Sequence, residues 1–181
     1  MRLRVIAGRF GGRSLDSPET FTTHPMSERM RGALFNILGD LTDKRLLDPF
    51  AGSGAISFEA LSRGAREVMA IERDKKAQDI ITQNARSLRL GREFQLIRAN
   101  CRAWSETSPD QLFDLIICDP PYNDIKLSTV TLLSRHLKTN GLMVLSHPGR
   151  ESAPTVNGVV VVDNRKYGDA ALAIYHQASI S

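Results

Sequence analysis

No apolar run in this chain of 181 residues approaches the roughly 20 that a bilayer-spanning helix needs. The opening stretch MRLRVIAGRFGGRS has early arginines but neither a long apolar core nor a small-residue cleavage site, so no secretory leader is expected. Cysteine is scarce. Cys101 and Cys118 lack CxxC or metal-ligand spacing, and reduced thiols in a cytoplasmic protein are the simplest expectation. His24, His136, His147 and His176 are too scattered for a metal site, so no metal is expected. Internal repeats, low-complexity tracts and interdomain linkers are also missing. Acid is absent from residues 1–13, which carry Arg2, Arg4, Arg9 and Arg13, with Arg29 and Arg31 soon after. In a chain of net charge +4, such a basic arm fits either a polyanionic partner, nucleic acid first, or a solvated surface strand.

What is present is an alternation. Apolar strands are expected at 45–50, 67–72, 93–98, 112–118 and 142–147, with helical patterns over 55–64, from Asp74 as N-cap to Leu88, and over roughly 125–138 before Gly141. Trp104 reads as a packing residue on a short helix. Strands this uniformly apolar are buried on both faces, which argues an α/β fold with a doubly wound, mainly parallel sheet. Two late strands, 158–163 and 171–176, are joined by too short a loop for a parallel crossover and form an antiparallel C-terminal edge hairpin, completing seven strands. The segment LRVIAGRFGGRSL reads as two short strands around a glycine turn. Residues 1–24 are therefore expected to be a basic hairpin extension, and 25–181 the main domain.

Ligands of such sheets bind beyond the carboxyl ends of the strands. There the chain places Asp48 and then Gly52-Ser53-Gly54 before a helix, with Glu72 closing the next strand. The glycines permit close backbone approach, and Glu72 can accept hydrogen bonds from the two hydroxyls of a ribose. A third fingerprint glycine is missing, because Ser57 stands there, and no GxxxxGK[ST] exists. Asp48 is a poor neighbour for pyrophosphate and a good one for a cation, which points to S-adenosylmethionine with its sulfonium and ammonium groups.

The stretch LFDLIICDPPYND ends a buried strand in Asp119, Pro120, Pro121 and Tyr122. Two prolines remove two backbone donors, so this loop offers acceptors, while Tyr122 offers a flat face for a base. Acceptors beside a stacking face suit an exocyclic amino group held in line with a methyl donor, on a base that is flipped out or already unpaired. Cys118, just before the loop, reads as a strand cysteine rather than a nucleophile. Tyr167 either supports this pocket or shapes the turn between the last strands.

Together these residues resemble class I S-adenosylmethionine-dependent methyltransferases with a [D/N]PP[Y/F] loop, a Rossmann-like class. The segments RVIAGRFGGRSL, THPMSERMRGALFNIL, DPFAGSGAISFEALSRGA and RKYGDAALAIY are more narrowly similar to bacterial 16S rRNA guanine-N(2) methyltransferases of the small subunit methyltransferase D type. The resemblance implies that Asp48, Phe50, Gly52 and Gly54 line the methionine end of the cofactor, Glu72 the ribose, and Asn100 and Cys101 the adenine. Asp119 to Tyr122 would hold the target guanine. Arg2, Arg4, Arg9, Arg13, Arg29 and Arg31 would meet phosphates of 16S rRNA in the small ribosomal subunit or its assembly intermediate. A monomer in the cytoplasm, without a membrane partner, is expected. Gly32 departs from the pattern, since the family often has an acid there. Three other readings stay open on the residues alone: an adenine 6-amino methyltransferase, a catalytically silent nucleic-acid-binding assembly factor, and a nicotinamide-dependent dehydrogenase.

Overall fold

The computed structural model describes residues 3–18 and 25–178. The arm is a pair of two-residue strands, β1 (Leu3–Arg4) and β2 (Ser14–Leu15), in antiparallel register with Leu3 opposite Leu15. Helix α1 (Glu28–Leu38) follows, capped by Ser27, whose hydroxyl accepts from the Met30 amide. Its Met30, Leu34 and Phe35 face inward, and Gly39 in a positive-φ conformation ends it.

The alternation then runs β3 (Arg45–Asp48), α2 (Ala55–Ser62), β4 (Glu67–Glu72), α3 (Lys75–Ser87), β5 (Phe94–Arg98), α4 (Cys101–Thr107), β6 (Phe113–Cys118), α5 (Leu127–Ser134), β7 (Leu137–Pro148), β8 (Val159–Tyr167) and β9 (Ala170–Gln177). The seven strands lie in the order β5-β4-β3-β6-β7-β9-β8. The first five are parallel, and β9 pairs antiparallel with both β7 and β8. Successive strand residues serve opposite faces. Leu46, Val68 and Leu115 pack with α1 and α2, whereas Leu47, Met69 and Ile116 pack with Trp104 of α4 and Val130 and Leu133 of α5. Both faces are covered, which is why the strands read as continuous apolar runs. Asp74 caps α3 as expected, accepting from the Ala77 amide at 2.9 Å.

Two boundaries depart from expectation: β8, expected to end at 163, runs on to Tyr167, so that only Gly168 and Asp169 link it to β9, and the α5–β7 boundary shifts as well. The helix expected over 125–138 ends at Ser134, and β7 begins at Leu137 rather than at 142. His136 accounts for the break. It is buried, with Nε2 2.7 Å from the Ser105 hydroxyl and Nδ1 2.7 Å from the Gln111 carbonyl, while its own carbonyl accepts from Phe113 N–H. Burying an imidazole with both nitrogens satisfied outweighs one more helical turn. The register then slips between Phe113 and Leu115, with Asn140 at φ 64°.

A buried carboxylate is the central polar anchor between the arm and the body. Glu59 of α2 is fully buried and accepts from the amides of Ile6 at 2.8 Å and Ala7 at 3.1 Å and from Arg63 Nε at 2.7 Å. Arg31 Nε stands 3.8 Å away on the other side. Gly8 comes so near that a Cβ would sit 1.9 Å from the Ser62 carbonyl oxygen, and its φ of 80° also favours glycine. Leu3, Val5 and Leu15 share a core with Phe58, Ile81 and Leu88. Glu59→Ala strands two amides and two guanidinium groups in a dry site, and urea unfolding should show a loss of about 3–5 kcal/mol. Glu59→Gln should fall between the two proteins.

Candidate active site

The carboxyl ends of β3, β4, β5 and β6 open onto a cleft of about 960 Å³. Its floor is the loop after β3. The amides of Ala51, Gly52, Gly54 and Ala55 all bond within the protein: to the Ile71 carbonyl, the Glu72 carboxylate, the Ala51 carbonyl and the Ser53 hydroxyl. Gly52 and Gly54 adopt positive φ, 55° and 80°. Because these donors are spent, the loop presents no nest of N–H groups to a phosphate, unlike a P-loop.

The cleft carries both acids and cations, Arg73 and Lys126 among them, but the acids Glu72 and Asp48 are the ones set around this loop. Glu72, half-buried at the end of β4, accepts from Gly52 N–H and Asp74 N–H at 2.8 Å each, which fixes its carboxylate on the cleft wall. Asp48 is fully buried behind the loop rather than on its surface. Its Oδ2 takes the Ser57 hydroxyl at 2.6 Å, and Oδ1 has no partner. Desolvation, reinforced by the charges of Asp119 and Glu72, pushes the Asp48 carboxyl up to about 7. An unpartnered buried carboxylate oxygen among other acids fits a cationic ligand without phosphate. S-adenosylmethionine has that chemistry.

The second wall is the loop after β6. Asp119 is half-buried, and desolvation raises its carboxyl to about 6. Pro120 is buried. Tyr122 begins a single 3₁₀ turn, with its hydroxyl on Ser146 of β7 and its ring 38% exposed. That hydroxyl contact sets the ring's orientation while a face stays open to the cleft.

The predicted residues divide in space. Phe50, Gly52, Glu72, Asn100, Cys101, Asp119 to Tyr122 and the buried Arg31 line the cleft, whereas Asp48 and Gly54, expected at the methionine end, are buried and not among its lining. Asn100 also caps α4, its Oδ1 accepting from Arg102 N–H at 2.9 Å and Ala103 N–H at 3.3 Å. The Cys101 thiol is pushed up by burial, and Cys118 is fully enclosed, so neither is an activated nucleophile. Arg4 is exposed and pairs with Glu28 at 3.0 Å, and Arg29 is exposed at the start of α1. Arg2 and His24 lie outside the described residues.

Arg31 needs correction as a surface phosphate contact. It is 1% exposed, donates to the Arg4 carbonyl at 2.6 Å and faces Glu59, because α1 turns that side of the helix onto α2. Arg9 and Arg13 sit far from the cleft, beyond the C-termini of α2 and α3. Gly32 faces only Ile6, 3.7 Å from where its Cβ would stand, so this backbone has room for the larger residue.

Other lining residues were not foreseen: Met26, Ser27 and Met30 at the start of α1, Arg73 after β4, Thr129 on α5, and Asp169 in the β8–β9 turn. Tyr167 joins them, and the open question about it resolves towards the cleft wall. A signal existed for Ser146, a polar residue inside an apolar strand. Among the described residues no cluster of metal-ligating side chains occurs, and no helix is long and apolar enough to cross a membrane.

Comparison with known proteins gives the site its context. The family model described as conserved hypothetical protein 95 matches residues 3–176. YlbH of Bacillus subtilis, provisionally named an rRNA methyltransferase, is 34% identical over 180 residues, 96% of this chain and 98% of its own. Ribosomal RNA small subunit methyltransferase D of Escherichia coli is 30% identical over 161 residues, 86% of this chain and 79% of its own. Among solved structures, yhhF of Escherichia coli, provisionally titled a methyltransferase, superposes with a TM-score of 0.85 at 28% identity, covering 98% of each chain.

Asp48→Asn tests the buried acid. A carboxyl raised from its ordinary 3.8 to about 7 costs the folded state nothing at low pH and progressively more as pH climbs between those values. Relative to the parent, Asp48→Asn should therefore gain thermal stability with rising pH and level off above about 7. A difference independent of pH would contradict the assignment.

Proposed function

The chain belongs to the conserved hypothetical protein 95 family of class I S-adenosylmethionine-dependent methyltransferases, and within it we propose that it methylates the exocyclic 2-amino group of a guanine in 16S rRNA. The observation that carries this is the meeting, in one cleft, of an acid-lined floor without phosphate donors and the acceptor-rich Asp119–Tyr122 wall. The name of the Escherichia coli relative supports rRNA as the substrate. The flat target and its amino group follow from the wall's chemistry, and guanine from the family. Residues 25–181 would hold cofactor and base, and residues 1–24 would extend the RNA contact. The protein would act as a cytoplasmic monomer on the small subunit or its assembly intermediate.

When bound, the cofactor supplies an electrophilic methyl group on a sulfonium. Glu72, already fixed by two amides, holds the ribose hydroxyls, and Gly52 and Phe50 border the methionine end. Asn100 and Cys101 border the adenine. Asp48 acts through its field from behind the loop. The target base, out of its stack, lies on Tyr122. Its amino group is a weak nucleophile because the lone pair is delocalised into the ring. Donating its two protons to the Asp119 carboxylate and the Pro120 carbonyl would pyramidalise the nitrogen and aim that lone pair at the methyl carbon. Methyl transfer to the amino nitrogen, with the sulfur keeping the C–S electron pair, would leave one excess amino proton, which the Asp119 carboxylate already facing it would take and pass to water. Positioning and fixed acceptors supply the acceleration, so no strong base is needed.

Variants and nucleoside analysis test the roles. Glu72→Ala should weaken cofactor binding by roughly tenfold or more in calorimetry, the worth of hydrogen bonds to a charged group. Asp119→Ala should keep cofactor binding and lose about 10²–10³ in methyl-transfer rate. Mass spectrometry of 16S rRNA from cells without the gene should lack one 2-methylguanine. Unchanged 2-methylguanine at every site, or a missing 6-methyladenine instead, overturns the guanine assignment.

Asp119 accepts the amino group's hydrogen bond far more strongly when ionised, and burial raises its carboxyl to about 6. Single-turnover rates should therefore climb as pH passes about 6 and then level. A flat profile from about pH 5 to 8 would remove Asp119 from that role.

A further inference from the structure

A second cluster of arginines assembles at the end of the sheet opposite the cleft. The arm's turn carries Arg9 and Arg13 to the far ends of α2 and α3. Arg9 and Phe10 donate their amides to the carbonyl and hydroxyl of Ser62, the last residue of α2. Arg13 Nη2 donates to the Ser87 carbonyl at 2.9 Å, and Arg9 Nη2 lies 3.4 Å from Glu93. Between those anchor points runs the segment RSLRLGR, with Arg86, Arg89 and Arg92 all exposed. The segment is folded tightly, Arg89 N–H on the Arg86 carbonyl, Leu90 N–H on the Ala85 carbonyl and Gly91 N–H on Glu93, with Arg89 itself at φ 55°.

Five guanidinium groups thus share one corner, drawn from stretches some seventy residues apart in the chain. Two acids stand there. Glu93 pairs with Arg9, and Asp16 is turned onto Gln83 at 3.1 Å. Arg13, Arg86, Arg89 and Arg92 form no ion pair among the described residues. Elsewhere some cations are held in internal pairs, as in Arg45–Glu67, Arg102–Glu106, Lys138–Asp114 and Arg165–Asp163, while others, Arg66, Arg73 and Lys76 among them, form none among the described residues; what sets this corner apart is that its guanidinium groups are gathered together. Like charges gathered without counter-charges cost folding energy, which a polyanion repays.

We propose that this corner is a second RNA contact that grips the phosphate backbone of an rRNA helix adjoining the target loop; this rests on the rRNA reading above. The geometry sets the reach. Helix α3 starts beside the cleft at Asp74 and ends at Ser87, and its 13 residues span about 20 Å. That length is several nucleotide steps of an RNA helix, so the corner meets RNA several nucleotides away from the base in the cleft. Guanidinium groups suit this task because they bind phosphate bidentately. Contacts at both ends of the sheet would let the enzyme recognise a loop together with its stem.

The test uses the full chain and small ribosomal subunits from cells lacking the gene. Filter binding across about 50–200 mM salt gives affinity and salt slope. The triple variant Arg86→Gln/Arg89→Gln/Arg92→Gln should lose about tenfold or more in affinity, and its slope should fall by about two to three, near 0.9 for each phosphate contact. Each single variant should lower the slope by about one. Cofactor affinity in calorimetry should not change. A triple variant whose affinity and slope match the parent's overturns the corner and leaves the proposed function standing. A parent that neither binds nor methylates the subunits overturns both.

Discussion

The site depends on the parallel pairing of β3 with β6. Leu46 lies opposite Leu115 and Leu47 opposite Ile116, so both strands end on the same side and deliver their following loops to one edge. Here the strand order reverses, β4 and β5 running one way from β3, and β7 onward the other way from β6. Helices on either side of that reversal leave a crevice between them. The acid-lined floor comes from β3 and the acceptor wall from β6, and neither would face the other in another strand order. Burial on both faces makes the pairing rigid, with Leu46, Leu47 and Ile116 fully enclosed.

That rigidity holds a charge arrangement the chain would not otherwise tolerate. Asp48 and Asp119 are both desolvated and both raised, to about 7 and about 6, and Glu72 adds to the field at Asp48. Apolar packing offsets the cost of placing acids beyond buried strands. A cation entering the cleft relieves the repulsion, so the same feature that destabilises the empty fold favours ligand binding. The floor's self-bonded amides add to this, because the loop itself offers an anionic cofactor no cluster of free N–H groups.

Charges of the other sign are divided by Glu59. It gathers the arm, Arg31 and Arg63 into a buried knot, leaving Arg4 and Arg29 exposed at the start of α1 and Arg9 and Arg13 at the far corner. The basic arm is therefore one continuous segment in the chain and two separate surfaces in space.

Much of this was legible beforehand, for local reasons. Glu67–Glu72 is a strand because its residues suit a doubly buried sheet, Asp74 caps a helix because its carboxylate reaches its own neighbours, and the prolines after Asp119 remove donors wherever they sit. The β8–β9 hairpin followed from loop length alone. What failed or stayed hidden involved partners distant in the chain. His136 cut a helix short because Ser105 and Gln111 hold it, and Tyr122 found Ser146 across a strand. Arg31 looked like one more exposed cation until α2 placed Glu59 against it. Glu59 itself reads as a solvent-facing helix acid. The sequence by itself determined the elements, the loop chemistry and the kind of ligand they suit, since backbone preference and donor count are properties of neighbours along the chain. Only the tertiary structure decided which charges are buried, which meet and which stay free, because desolvation and Coulomb energy depend on distance through space.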